Sequence, residues 1–592
     1  MNENKKSFDL TEFTVIYNSF EDVVREMSLT FEYSSWSSIL SECRDFSCAI
    51  YDNGTPPNAL CVLDGLPLHV NAQPITLSKI VEFFGDEIYE GDIIMVNSVY
   101  FGTTHCGDLV VAAPVFYEGE LLFWTAATGH QMDIGGASPS SVSIDATDVW
   151  SEGFQISPIK LEEKGKPRKD VWELYLQNVR YRDFLNGDLM SQVGSVKTGR
   201  KRATELVEKY GAEKIKLFSN ELIEYADRIA TEEIKSWPDG VYHSESWVDS
   251  DGTGMTNMEI KCKLEIKGSE IYIDYDGSHP QVTGSTNASW ATCFNATSTP
   301  ILACLPPDLP HNHGCSKHIH VSAPKGTIVN LEYPGCASDA TIVPSDSICD
   351  AIWKCLAHAI PDKVVAGYGH IAPNAFCSGI DRRIEGEETP FSMILFNSSS
   401  GGGASKEFDG WPMMFCPGAL GGLKFIPIEL LELHNPLQAL QQEIRTDSMG
   451  AGRTRGGPGV IWKVKPSGTG QVDNYGYGDG MFNPPFGLFG GKPGDGGAMM
   501  RHNEDGTRTF FSALGYFRVK ETEFWETHST GGGGYGNPLE RDPEKVRMDV
   551  LNEYVSLKSA KEEYGVLLFP NILEIDVKET ENQKKKKAKE MK

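Results

Sequence analysis

No stretch of this 592-residue chain is apolar for the length needed to cross a bilayer. The start, Met1 to Leu10, is polar and charged, and no secretory hydrophobic region follows it. The expected compartment is the cytoplasm. Basic residues are scarce, with 54 Lys and Arg against 82 Asp and Glu and a formal charge of −28. Such a chain repels phosphate backbones, which argues against nucleic acid as a partner. The one basic run, Lys584 to Lys589, lies at the end and reads as a frayed, solvated tail, with a docking tail for an acidic partner as the alternative. The thirteen cysteines include no Cys-x-x-Cys pair. An odd count without a signal peptide points to free thiols in a reducing compartment and against a zinc knuckle. There is also no Gly-x-x-x-x-Gly-Lys-Ser/Thr loop for ATP phosphates.

A chain of this length exceeds one compact core, so two to four packed lobes are expected. Apolar spacing predicts helices near Thr11–Met27 and Ile75–Phe84, and strands at Cys48–Tyr51 and Ala59–Leu63. From Lys169 to Trp237 the pattern is helical, with Gly211 as a C-terminal cap between two helices. From Gly240 the period becomes two, and Glu259–Ile266 and Ile271–Tyr275 read as a hairpin. Trp290–Leu305 and Ser345–Ile360 read as buried helices. The 60 glycines concentrate after Phe396, interleaved with aromatics such as Trp411, Phe415, Trp462 and Phe486. That mixture predicts packed loops on a β-rich body, not a linker. The fold class expected is mixed α+β and multi-lobed. Its parts are an N-terminal metal-site region (1–168), a helical segment (169–238), a β-hairpin with buried helices (239–395), a glycine-rich body (396–580) and the basic tail (581–592).

The most chemical pattern is Thr104-His105-Cys106-Gly107-Asp108 with Gly129-His130-Gln131-Met132-Asp133. Two apolar runs, Leu109–Tyr117 and Glu120–Thr128, lie between them and meet at Glu118-Gly119, a plausible tight turn. Paired about that turn, His130 returns to face residue 107. His105, Asp108 and His130 would then converge as the ligand set of an open divalent-metal site suited to Mn, Zn or Fe. The alternative is a buried His–Asp hydrogen bond beside an unrelated histidine. Cys106 reads as a small buried residue rather than a nucleophile. His311, His313, His318 and His320 read as histidines of a surface turn, with a second metal as the alternative.

Longer motifs carry a resemblance. Arg44-Asp45-Phe46-Ser47-Cys48-Ala49, Asn97-Ser98-Val99-Tyr100, His105 with Asp108, His130 with Asp133-Ile134-Gly135-Gly136, Asn483 to Leu488 and Gly531 to Pro543 stand in one order along the chain. Together they resemble the hydantoinase B/oxoprolinase family, which takes in the large metal-bearing subunits of acetone and acetophenone carboxylases. The resemblance implies a hetero-oligomer in which a hydantoinase A-like subunit binds ATP and this chain completes the chemistry at a metal. His130-Gln131 in place of two adjacent histidines, Gly119 to Trp124, and Lys160 to Arg168 look more like the ketone carboxylases. The first expectation is therefore carboxylation of a ketone, with manganese as the metal, zinc second, and a small third subunit. The alternatives are ATP-dependent hydrolysis of a hydantoin, 5-oxoproline or lactam, and a non-catalytic scaffold. Many members carry Asn-Asp-Pro-Tyr where this chain has Asn97-Ser98-Val99-Tyr100, which leaves substrate type open. Asp45 is a candidate fourth ligand, the alternatives being an ion pair with Arg44 or a strand-end cap. Asp133 is a candidate acceptor orienting His130. The N–H groups of Gly531, Gly532 and Gly533 could meet a phosphorylated intermediate, the alternative being tight turns.

Overall fold

The computed structural model describes residues 9–62, 65–370, 374–419, 421–512 and 514–590. Four sheets and a set of long helices make up a mixed α/β molecule. The site is built on the first sheet, so its construction comes first.

Helix α1 (Leu10–Ser34) buries Ile16, Phe20, Val23, Val24, Met27 and Phe31, one stripe at three- and four-residue spacing. Seven antiparallel strands follow: β1 (Phe46–Asp52), β2 (Ala59–Val62), β3 (Ile93–Val96), β4 (Asp108–Tyr117), β5 (Glu120–His130), β6 (Ile159–Glu163) and β7 (Lys166–Pro167). Their spatial order is β2-β1-β5-β4-β3-β6-β7. The strand expected through Leu63 ends at Val62, and Leu63 lies outside the described residues. Short helix α2 (Pro67–Val70) and helix α3 (Gln73–Phe84) lie between β2 and β3.

The central hairpin turns at Glu118 and Gly119, both at positive φ (50° and 83°), which suits the right-handed twist of the strands it joins. Its two strands are buried on both faces, which is why they read as apolar runs instead of alternating. Leu109, Val111, Ala113 and Val115 face a long helix, Arg182–Tyr210, which in turn packs against α1. Val110, Ala112, Trp124 and Ala126 face Leu77 and Ile80 of α3.

The helical stretch after Lys169 resolves into three helices, Lys169–Gln177, Arg182–Tyr210 and Ala212–Lys235, with Gly211 at the junction of the last two (φ 86°). The expected hairpin widens into a four-stranded sheet, Gly240–Ser250, Thr256–Lys267, Glu270–Asp274 and Ile319–Ser322, packed by helix Val343–Ala359. Two further sheets lie between Asn374 and His528.

The glycine-dense segments pack backbone against backbone. Gly402 N–H donates to the Trp411 carbonyl (2.8 Å), Gly457 to Gly402 (2.8 Å), Gly532 to Gly457 (2.9 Å) and Gly450 to Gly532 (2.8 Å). A Cβ on Gly532 would stand 2.0 Å from the Gly402 carbonyl oxygen, and one on Gly533 1.8 Å from that of Phe486. Only a residue without a side chain permits that approach. The basic tail, expected to be frayed, is helical over Val577–Glu590, and Lys584 Nζ donates to the Arg541 carbonyl (3.0 Å).

Candidate metal centre

Three neighbouring strands place three side chains on one face. Side chains alternate along a strand, so Asp45, Ser47, Ala49 and Tyr51 share a face, as do Asp108 and Val110, and Thr128 and His130. Asp108 pairs directly across from His130, and His130 N–H donates to the Asp45 carbonyl (3.0 Å). Asp45, His130 and Asp108 therefore stand side by side at the end of β1, β5 and β4. The expected register set His130 against residue 107. A bulge between Val115 and Phe116 leaves Leu122 unpaired and moves the register by one, which puts the carboxylate opposite the imidazole.

His105 comes from the loop before β4, and Gly107 lets it close in. A Cβ on Gly107 would lie 2.9 Å from the rings of both His105 and His130. His105 Nε2 lies 3.1 Å from His130 Nδ1 and 3.1 Å from Asp108 Oδ1, and His130 Nδ1 lies 3.3 Å from Asp108 Oδ1. Ligands in adjacent positions about 2.1 Å from one cation stand roughly 3.0–3.4 Å apart, so the triangle fits a first-row divalent ion. It is the one group of three metal-type side chains among the described residues whose ligand atoms lie within 4.8 Å of one another.

The remaining ring nitrogens are anchored. His105 Nδ1 faces the Ser338 carbonyl (2.9 Å), and His130 Nε2 faces Ser141 Oγ (2.6 Å). With Nδ1–H donated to Ser338, the Nε2 lone pair of His105 turns inward. Asp108 Oδ2 accepts from the Thr104 hydroxyl. Burial opposes charge on Asp108, but His105 and His69 outweigh it and hold its carboxyl well below the usual range. Burial likewise opposes charge on His105, and Asp108 overcomes it, raising the imidazole to about 9 before any cation is bound.

A fourth group, His69 of α2, has no motif to announce it. It sits in Leu66-Pro67-Leu68-His69-Val70, a histidine among apolar neighbours. Its Nδ1 lies 3.3 Å from Ser47 Oγ, and its Nε2 lies 3.4 Å from Asp108 Oδ2 and 3.9 Å from Asp45 Oδ1. Burial disfavours its charged form, yet Asp108 and then Asp45 raise its pKa on balance. Asp45 itself is raised by burial, with His130 and His69 opposing. The alternative of an Asp45–Arg44 ion pair is not formed, because Arg44 reaches Glu32 instead (2.5 Å). The centre opens on a cavity of about 40 Å³ walled by Leu66, Leu68, Ile342, Phe376, Phe396 and Tyr477.

Other expectations are corrected. Asp133 does not reach His130. Its carboxylate accepts from Arg180 N–H and Nη1 (both 2.8 Å) and from Gly135 N–H (3.1 Å), because the chain turns away after β5. Ser141 takes the place expected for it. Gly531, Gly532 and Gly533 have no N–H left for a phosphate, since these donate to the carbonyls of Asp495, Gly457 and Gly367. Cys106, by contrast, is buried as expected, and burial raises its thiol well above the ordinary value, against a nucleophilic thiolate. His318 lies between Asp227 (2.9 Å from Nε2) and Glu270 (3.4 Å from Nδ1), and Glu270 also takes His320 (2.7 Å), so carboxylates hold the two rings and no three-ligand group forms there among the described residues.

No helix among the described residues is long and apolar enough to cross a membrane. The chain is 34% identical to the caprolactamase subunit beta of Pseudomonas jessenii over 94% of its own length and 96% of that protein. It is 26% identical to the acetophenone carboxylase delta subunit of Aromatoleum aromaticum (strain DSM 19018 / LMG 30748 / EbN1), over 87% of this chain and 80% of that one. A crystal structure of ATP-dependent caprolactamase from Pseudomonas jessenii superposes with a TM-score of 0.89 at 30% identity, covering 98% of this chain and all of that one. These relatives include named subunits of multi-subunit enzymes, and the stronger likeness is to the caprolactamase, against the tilt toward carboxylases read from the motifs alone. The profile of hydantoinase B/oxoprolinase matches residues 9–538, and the chain belongs to that family.

Proposed function

We propose that this chain is the metal-bearing subunit of an ATP-dependent enzyme that hydrolyses a cyclic amide such as a lactam, a hydantoin or 5-oxoproline. ATP would be bound by a hydantoinase A-like partner subunit. The observation that carries the reading is the 3.1–3.3 Å triangle of His105 Nε2, His130 Nδ1 and Asp108 Oδ1, in a chain whose likeness to caprolactamase runs end to end.

His105, Asp108 and His130 would hold the ion. A divalent cation there supplies a Lewis acid that stabilises negative charge growing on an amide oxygen and lowers the pKa of water. His69 would hold or deliver a proton at Nε2, oriented by Ser47 at Nδ1. Asp45, 3.9 Å from the same Nε2, would favour the protonated ring through its charge, and the apolar walls would exclude bulk water. The preference for manganese comes from the carboxylase branch and loses support with it. Two imidazoles and one carboxylate accommodate zinc as readily.

The test combines the full chain with its ATP-binding partner and supplies ATP with ε-caprolactam, hydantoin or 5-oxoproline. Ring opening at wild-type level and a drop of at least about 100-fold in His130→Ala are expected. Labelled bicarbonate fixed onto acetone or acetophenone, without ring opening, would return the carboxylase reading. A metal-free preparation indifferent to His130→Ala would return the scaffold.

A further inference from the structure

The metal cavity of about 40 Å³ has room for one to a few waters, since one needs roughly 10–15 Å³ on this measure. The centre is therefore tight, with space beside the three donors for a reacting amide bond but little to hold a whole ring at rest. On the other side of α2 lies a cavity of about 710 Å³, within the range that holds small organic ligands. Helix α2 is the partition between the two. Leu66, Leu68 and His69 line the metal side, whereas Gly65, Pro67 and Val70 line the outer side.

The outer cavity has a distinct chemistry. Trp290 and Phe294 stand one helical turn apart, with ring centroids at 6.3 Å, and form an aromatic wall. Among the described residues no aspartate or glutamate lines it, in a chain of charge −28. Two lysines reach its edge, but Lys79 is paired with Glu82 (2.7 Å) and Lys317 with Asp227 (2.6 Å). It is therefore neither a cation site nor an anion trap. His313 faces it with an imidazole that makes no hydrogen bond among the described residues, and burial keeps that ring toward its neutral form. A neutral imidazole offers one donor and one acceptor on diverging sides of its ring, so it can meet an amide at either the C=O or the N–H.

We propose that this outer cavity binds the ring of a neutral cyclic amide, its hydrocarbon face on Trp290 and Phe294 and its amide on His313, one partition away from the metal centre. The choice of a cyclic amide rests on the function proposed above. The site itself rests on the two volumes, the shared wall and the carboxylate-free aromatic lining.

The experiment is equilibrium dialysis of labelled ε-caprolactam and labelled hydantoin against the full metal-loaded chain. Ala303→Trp and Ser78→Trp fill the cavity from the end of the Trp290–Leu302 helix and from α3. Saturable binding is expected in the wild type, weakened at least tenfold in both tryptophan variants with metal content and circular dichroism unchanged, and retained in His130→Ala. Binding that survives both tryptophan variants, binding lost in His130→Ala alone, or no binding of either ring overturns the proposal. The two readings fail separately. A complex that opens rings with unchanged KM in the tryptophan variants sinks the cavity but keeps the function. Rings that bind here and are never opened with ATP and partner sink the function but keep the cavity.

Discussion

Ser141 and Glu152 show how single side chains control a centre they do not enter. Ser141 Oγ holds His130 at Nε2, so its inward nitrogen is fixed by one hydroxyl. Ser141→Ala should weaken cation affinity by about 10–100-fold, measured by competition with a chelator. Asp133→Asn should leave that affinity unchanged, because Asp133 serves Arg180, and should lower unfolding stability by about 1–3 kcal/mol. Glu152 is fully buried, and its carboxylate accepts from the Ala337 N–H, beside the Ser338 carbonyl that anchors His105. Burial raises its carboxyl from 4.5 to about 8, with the Ala337 and Ser338 bonds opposing. Between those values the folded chain keeps a proton that the unfolded chain releases. Its contribution to stability is therefore full below pH 4.5 and falls as pH rises toward 8. Glu152→Gln carries no such proton, so the variant should gain on the wild type in Tm from pH 5 to pH 8. A Tm difference constant over that window would mean the buried acid is ionised.

At the scale of elements, the hairpin bulge and the glycine layers do the positioning. One unpaired residue, Leu122, decides that Asp108 and not Gly107 stands opposite His130. A shift of one residue along a strand turns every side chain to the other face, so this is a large effect from a small feature. The glycine layers hold the segments around Gly367, Gly402, Gly457 and Gly533 in backbone contact. Gly533→Ala should cost about 1–3 kcal/mol or more, since its Cβ would meet the Phe486 carbonyl at 1.8 Å. Gly194, in the middle of the Arg182–Tyr210 helix, is the contrast. Its added Cβ would meet only Thr30 Cγ2, at 3.8 Å, and Gly194→Ala should stabilise by about 0.5–1 kcal/mol. Denaturant titration of the two variants checks both signs.

At the scale of the whole molecule, the metal cavity is closed by parts far apart in the chain. Asp45 to His130 supply its polar floor, and Phe376, Phe396, Phe415 and Tyr477 supply its apolar cover. One apolar core runs from Ile16 to Tyr535 and joins those parts. An ion bound at the centre should therefore stabilise the entire fold. At a free concentration 100 times its Kd the gain should be about 2.7 kcal/mol, lost on chelation and restored by readdition. Thermal melts with and without chelator measure it, and His130→Ala should melt at the same temperature in both.

Local chemistry made much of this legible from residues alone. The turn at Glu118-Gly119, the two apolar runs, the helix cap at Gly211 and the alternation from Glu259 to Tyr275 each depend on near neighbours, and each element formed. His105, Asp108 and His130 could be grouped because a hairpin brings together residues that its own turn relates. What lay beyond reach depended on distant contacts. His69 joins the centre because α2 lies over β1 and the start of β4, Asp133 leaves it because Arg180 arrives from the turn between two later helices, and the N–H groups of Gly531 to Gly533 meet carbonyls from Gly367 to Asp495. Periodicity and turn geometry are short-range, so the secondary elements and the grouping of three candidate donors could be read residue by residue. The tertiary structure decided the register, the fourth polar group and the small volume left at the centre, since those follow from how separate segments exclude one another in space.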